Sequence, residues 1–186
     1  MNLAAAPDTE VLAAIAAGNQ EALEVLYRRF EPRLFRYLVG MVGGDAGRAE
    51  DAMAETFFDV WRQAGRFRGA AAVSTWVYGI ARHKALTLLR RRAPASVEDE
   101  VLDQIAADGP DPLSDMTQAE VAERVRQALD RLSPAHREVL ELSLYQEFAY
   151  EQIAEIVGCP VNTVKTRVFH ARQQMKRYLA PAAGER

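Results

Sequence analysis

Residues 133–179, SPAHREVLELSLYQEFAYEQIAEIVGCPVNTVKTRVFHARQQMKRYL, decide how this chain is read. Ser133 can cap a helix, and Pro134 stands at its first position, where a missing N–H costs nothing. The spacing predicts a short helix over Tyr150–Val157, with Ile153, Ala154 and Val157 inward. Gly158 ends it, because the residue past a helix end often needs a positive φ. Pro160 starts a second helix whose apolar positions are Val161, Val164, Val168, Ala171 and Met175. A small residue four places before a turn glycine lets two helices cross closely. An apolar residue ten places beyond that small residue locks the second helix on the first. Ala154, Gly158 and Val164 fit this arrangement, the helix-turn-helix.

Such a unit presents the start of its second helix to base edges in a major groove. Asn162, Thr163, Lys165, Thr166 and Arg167 are the reading candidates, and Arg172, Lys176 and Arg177 suit phosphates. The bland reading is a helical hairpin with a solvated basic face. The matched turn, the caps and the unbroken positive charge of residues 161–180 weigh against it.

Upstream, helical spacing dominates and no clean alternating strand appears. Leu23, Leu26, Tyr27, Phe30, Leu34, Tyr37, Leu38 and Met41 make one helical face, with Pro32 as a point of kinking or restart. Residues 49–63 form a second helix, with Ala49, Met53, Phe57, Val60 and Trp61 near one face and Trp61 assigned to the core. A loop over residues 65–72 follows. Ser74 is the expected N-cap of a third helix ending in Arg90, Arg91 and Arg92. Residues 93–115 hold Pro94, Gly109, Pro110 and Pro112 among acids and read as a linker, with a helical turn around Val101 to Ile105. The fold class is therefore all-α: two small helical domains joined by an acidic flexible linker. The expected boundaries are 1–93, 94–117 and 118–182.

Net charge is −3 over 186 residues, yet its distribution is uneven. Residues 45–59 carry Asp45, Glu50, Asp51, Glu55 and Asp59 against Arg48 alone. Residues 61–92 carry Arg62, Arg66, Arg68, Arg82, Lys84 and Arg90 to Arg92 and no acid. Residues 93–117 carry only acids. Phosphate binding needs local positive charge rather than a basic average. No run of eighteen apolar residues occurs, so no membrane span is expected, and the N-terminus lacks the basic start of a secretory signal. Cys159, the single cysteine, excludes an internal disulfide and a CxxC site; it reads as a small residue at a helix start, with redox sensitivity as the alternative. These features point to a cytoplasmic protein. There is no phosphate loop, paired-histidine motif or GxSxG, and His83, His136 and His170 lie on separate helices. No catalytic residue, metal ligand or cofactor is expected.

The run from Leu132 to Leu179 resembles the −35-binding domain of extracytoplasmic-function sigma factors. AEDAMAETFFDVWRQAGRFRGAAAVSTWVYGIARHKALTLLRRR, residues 49–92, resembles the same family's first domain, in the family's order and with an acidic linker between. The resemblance implies a non-enzymatic factor that binds core RNA polymerase and promoter DNA and is often silenced by an anti-sigma partner. It implies that Glu50, Asp51, Ala54 and Glu55 dock on the polymerase. The following loop and helix would capture opened −10 DNA, with Phe67, Trp76 and Tyr78 supplying rings near Arg66, Arg68, Arg82, His83 and Lys84. Single-stranded bases need such stacking surfaces beside positive charge. Trp76 and Tyr78 also lie on an apolar helix, where core packing is the ordinary role of a ring. The chain departs from the family pattern at several positions. Ala54 stands for glutamine, His83 for asparagine, Thr87 for aspartate, Asn162 for glycine and Thr166 for serine. The alternative is an autonomous helix-turn-helix regulator, which a dimeric footprint would favour.

Overall fold

The computed structural model describes residues 3–90 and 117–180; Arg91, Arg92 and the linker turn expected around Val101 to Ile105 lie outside the described residues. Eight α-helices occur among the described residues, and no strand. The N-terminal half holds α1 (Asp8–Ala16), α2 (Gln20–Met41), α3 (Ala46–Gln63), a single 3-10 turn (Ala64–Arg66) and α4 (Val73–Arg90). The C-terminal half holds α5 (Gln118–Asp130), α6 (Pro134–Leu144), α7 (Tyr150–Val157) and α8 (Val161–Leu179).

Local chemistry explains most boundaries. Asn19 and Asp45 accept hydrogen bonds from the backbone N–H of Ala22 and Arg48, each at 3.1 Å, and Ser133 accepts from His136 at 3.3 Å. Each such cap is worth about 1 kcal/mol. At α5, Thr117 and Glu120 form a reciprocal capping box. The helix expected to be capped by Ser74 begins at Val73, and its first turn closes from the Trp76 N–H to the Ala72 carbonyl. Ser74 therefore lies inside the helix and not at its cap. Pro32 neither breaks nor restarts α2, which runs through it with the ring exposed to water. The preceding residues carry enough buried apolar surface (Leu26, Phe30) to hold the helix together across the missing hydrogen bond.

α2, α3 and α4 pack on one another, with α1 laid across α2. Leu26, Leu34, Leu38, Val60 and Val77 are fully buried there. In the C-terminal half α8 packs on α6, α7 and α5, burying Val164, Val168 and Ala171. A smaller apolar cluster of Leu132, Leu140 and Ala171 lies beneath α5.

The two halves touch. α7 packs on α4 and α6 on α2, and Val139, Leu142, Ile153, Ile156 and Val157 join the apolar cluster of the N-terminal helices. α2 and α6 lie close at Gly40, where a Cβ would stand 2.7 Å from Oε2 at the end of the Glu141 side chain.

Candidate nucleic-acid interface

The turn between α7 and α8 has the geometry that the sequence implies. Gly158 adopts φ +72°, and its N–H and that of Cys159 both donate to the Ala154 carbonyl, at 2.9 and 3.2 Å. An L-residue in this left-handed conformation would be strained by about 1–2 kcal/mol. Pro160 then leads into α8, whose first turn opens to solvent. Asn162, Lys165 and Thr166 are exposed, and Thr163 and Arg167 are half-buried. The Thr166 hydroxyl donates to the Asn162 carbonyl at 2.9 Å, so its proton is engaged within the helix and its lone pairs face outward. Arg172, Lys176 and Arg177 continue along exposed positions of α8. Phe169, not singled out by the sequence reading, is half exposed and meets His170 edge-on at 5.6 Å. Its steps from Lys165 and Thr166 are four and three, so helical periodicity alone places it near the reading face.

The second basic surface is built from the loop after α3 and from α4. Phe67 and Trp76 pack ring against ring at 5.4 Å, both half-buried, with Arg66 and Arg68 exposed beside them. Trp76, Thr75, His83, Asp59, Gln63 and Glu155 line a cavity of about 420 Å³. Thr75 Oγ1 is buried without a hydrogen-bond partner at that wall. His83 is exposed. Tyr78 does not belong to this surface. It is buried between Tyr37 and Phe148, at ring distances of 5.2 and 4.9 Å, and donates to Gln146 Oε1 at 2.7 Å. Burial pushes its hydroxyl pKa well up.

Two of the cations expected to meet DNA are engaged within the protein. Lys84 Nζ lies 2.7 Å from Asp59 Oδ2 and 3.3 Å from Glu55 Oε2. The hydrogen bond to Asp59 leads in holding the Lys84 ammonium above its usual range. Arg82 meets Glu138 through two contacts, Nε to Oε1 at 2.8 Å and Nη2 to Oε2 at 3.3 Å. Burial works against the charged guanidinium, but bonding to Glu138 outweighs it and the pKa rises. Tyr37 also donates to Glu138 Oε1, at 2.8 Å.

The acidic face of α3 points outward. Glu50, Asp51, Ala54 and Glu55 are all exposed, a contiguous strip at helical spacing. Phe58 extends it one turn further, 56% exposed, with the Arg62 guanidinium 5.5 Å from its ring centroid. Trp61, expected in the core, is only half-buried. It packs on the core with one side and with the other lines a groove of about 520 Å³ with Gln20, Leu23, Phe57 and Phe58. Neither Phe58 nor this groove was singled out from sequence. The signal available was the step of three or four from Glu55 and Ala54. Among the described residues no cluster of His, Cys, Asp and Glu could hold a metal, and no helix is long and apolar enough to cross a membrane.

Two family models match: sigma-70 region 2 over residues 26–94, and sigma-70 region 4 over residues 122–175. The chain is 31% identical to the RNA polymerase sigma-H factor of Pseudomonas aeruginosa, covering 96% of each chain. It is 33% identical to the ECF RNA polymerase sigma factor SigM of Mycobacterium tuberculosis, over 92% of this chain and 84% of the relative. Two solved structures share the fold. CnrH, in complex with the cytosolic domain of CnrY, superposes with TM-score 0.68 at 22% identity, over 92% of this chain and 96% of that one. The sigma factor RpoE of Bartonella quintana, in complex with the anti-sigma factor NepR, does so with TM-score 0.62 at 24% identity, over 84% and 95%. The chain belongs to the extracytoplasmic-function family of RNA polymerase sigma factors, which is not a class of enzymes, and acts in promoter-specific transcription initiation.

Proposed function

We propose that the work is divided between three surfaces. The strip Glu50, Asp51, Ala54 and Glu55 docks on core RNA polymerase, with Phe58 as an apolar contact at its end. Phe67, Arg68, Trp76, Arg82, His83 and Lys84 take the opened −10 strand. Asn162, Thr163, Lys165, Thr166 and Arg167 read the −35 element in a major groove, while Arg172 and Lys176 hold phosphates. The domain limits follow: 1–93 for docking and −10 capture, 94–117 as linker, and 118–182 for −35 reading.

One observation carries this reading best. The Gly158 turn and the exposed start of α8 have the form of a recognition unit, and the basic surface around α4 carries paired aromatic rings. Duplex reading needs donors on a helix that fits the groove. Strand capture needs rings beside cations, because flipping a base costs a few kcal/mol that stacking must offset. The acidic strip is exposed along α3, and its Glu55 also reaches Lys84 at the edge of the α4 surface. A protein that works on the chromosome works in the cytoplasm, and an anti-sigma factor, such as the NepR seated on the Bartonella quintana RpoE, is the expected silencing partner. No observation favours the autonomous regulator.

Systematic substitution of promoter bases with two variants tests the division. Lys165→Ala is expected to relax base preference at −35 only, and His83→Ala at −10 only, each by about 1–3 kcal/mol at the affected base. Both variants relaxing the same element would reject the assignment.

A further inference from the structure

We propose that Arg29 is a positioning residue for the rings of the α4 surface: it pins the chain ahead of α1, and α1 is the platform on which the Phe67 loop is mounted. The inference rests on the reading of Phe67 and Trp76 as the strand-capturing rings.

The platform is an element that depends on its anchors. α1 has nine residues, too few for a helix to persist alone in water. Its N-cap position is Pro7, which makes no side-chain hydrogen bond, so the first turn lacks the usual cap. Tertiary contacts hold it instead. Val11, Leu12 and Ile15 are buried. Ahead of them, Arg29 of α2 spreads its guanidinium over three acceptors. Nη2 donates to the carbonyls of Leu3 at 2.9 Å and Ala4 at 3.0 Å, and Nη1 pairs with Asp8 at the start of α1. A fully exposed ion pair contributes little. Here the Arg29 side chain is 27% exposed, and two of its three acceptors are backbone carbonyls, which fix the path of the chain as well as its charge. Satisfying all three uses the planar fork of a guanidinium; an ammonium offers only a point charge.

α1 in turn packs on the Ala64–Arg66 turn and on α4, as well as on α2 and α3. Those first two elements bracket the loop of residues 67–72, so one short helix supports both of its ends. Ala64 is buried, and the Phe67 N–H donates to its carbonyl at 3.2 Å. The Phe67 ring therefore leaves from a fixed point, and it meets Trp76 of α4 at 5.4 Å. Rings held in place before the strand arrives spare the complex the entropy of ordering them. If the chain ahead of α1 comes loose, the cost of ordering the loop falls on strand capture. Arg29 touches neither ring, and it lies on α2, away from the α3 strip and from α8. Its loss should therefore act on the loop and spare polymerase docking and duplex reading.

The test uses the full chain, with helical content checked by circular dichroism. Arg29→Ala removes all three bonds, and Arg29→Lys keeps the charge without the fork. Exposed Arg28, replaced by alanine, is the control for charge alone. The chain has two tryptophans, so in a Trp61→Phe background acrylamide quenching of fluorescence reports on Trp76 alone. With core polymerase and DNA upstream of the protein's own gene, permanganate reactivity of unpaired thymines reads strand opening. Arg29→Ala is expected to raise the quenching of Trp76 and to lower opening on the order of tenfold, about what ordering one further residue costs. Arg29→Lys should fall between it and the parent chain, and should carry the test if Arg29→Ala does not fold. Arg28→Ala should change neither readout. Affinity for core polymerase should hold in every variant. Unchanged quenching of Trp76 in the Arg29 variants would overturn the proposal, whatever the DNA does. Equal losses of opening and of polymerase affinity would also overturn it, since they would mark general destabilisation. Phe67→Ala separates the underlying reading: normal opening in that variant would reject the rings as the strand contact, while the quenching of Trp76 would still decide the role of Arg29.

Discussion

Two basic helices carry the case for DNA binding, and they differ in what their charges do. α8 holds Lys165 and Arg172 at exposed positions along a helix anchored by Val164 and Val168. α4 holds Arg82 and Lys84 in bonds to Glu138, Asp59 and Glu55. The first surface is exposed along its helix. The second is formed but engaged, partly by its own half and partly by the other. Charge runs in a sequence report neither state, because a cation beside an acid in space is not beside it in the chain.

The comparison breaks most violently in the core of the recognition unit. Val164 is fully buried. Val164→Asp should cost more than about 4 kcal/mol, as an unpaired buried carboxylate does, and should abolish duplex binding. Urea denaturation followed by circular dichroism reads this directly. Next in size is the outward face: Lys165→Ala should weaken binding of promoter duplex by about 1–3 kcal/mol, whereas Lys84→Ala should leave duplex binding by the C-terminal half unchanged. Equal losses, measured by fluorescence anisotropy at fixed salt, would erase the distinction between the helices. Gly158→Ala, which strains the left-handed turn, should destabilise by about 1–2 kcal/mol without touching α4. The smallest effect concerns Glu147, the one non-glycine among the described residues with positive φ, at 58°. Glu147→Gly should relieve strain of about 1 kcal/mol, less the entropy that glycine loses on folding, and raise the thermal midpoint slightly.

The contact between the halves also responds to pH. Burial pushes the Glu141 carboxyl up to about 7, opposed by Arg36 of α2 and Arg137 of α6 and aided by the neighbouring Glu138. The carboxyl binds its proton more tightly when folded than when unfolded. Its contribution to stability is therefore full below the ordinary carboxylate range and is lost as pH rises through about 7. The thermal midpoint should fall between pH 5 and 8, and Glu141→Gln should flatten that slope.

Much of this was legible in the chain. Ala154, Gly158 and Val164 gave the helix-turn-helix because its turn depends on local chemistry: a residue that tolerates positive φ, a small neighbour and an apolar lock. The strip Glu50, Asp51, Ala54 and Glu55 of α3 was legible through the family resemblance, and helical spacing puts those residues near one face. What escaped was tertiary. Ser74 looks like a cap, but the capping position lies two residues earlier, at Ala72, whose carbonyl closes the first turn of α4. Trp61 has the composition of a core residue, yet the groove beside Phe58 leaves it half open. Tyr78 could not be told from Trp76 by spacing; a partner about seventy residues away, Gln146, buries it. The engagement of Arg82 by Glu138 spans 56 residues and has no local signature.

The central claim is that this chain confers promoter specificity on RNA polymerase. Run-off transcription tests it most directly, with bacterial core polymerase and DNA upstream of the protein's own gene, with and without the protein. The account predicts transcripts from one defined start only when the protein is present, reduced by Lys165→Ala. Specific binding of that DNA by the protein alone, with no transcript from any start, would contradict it.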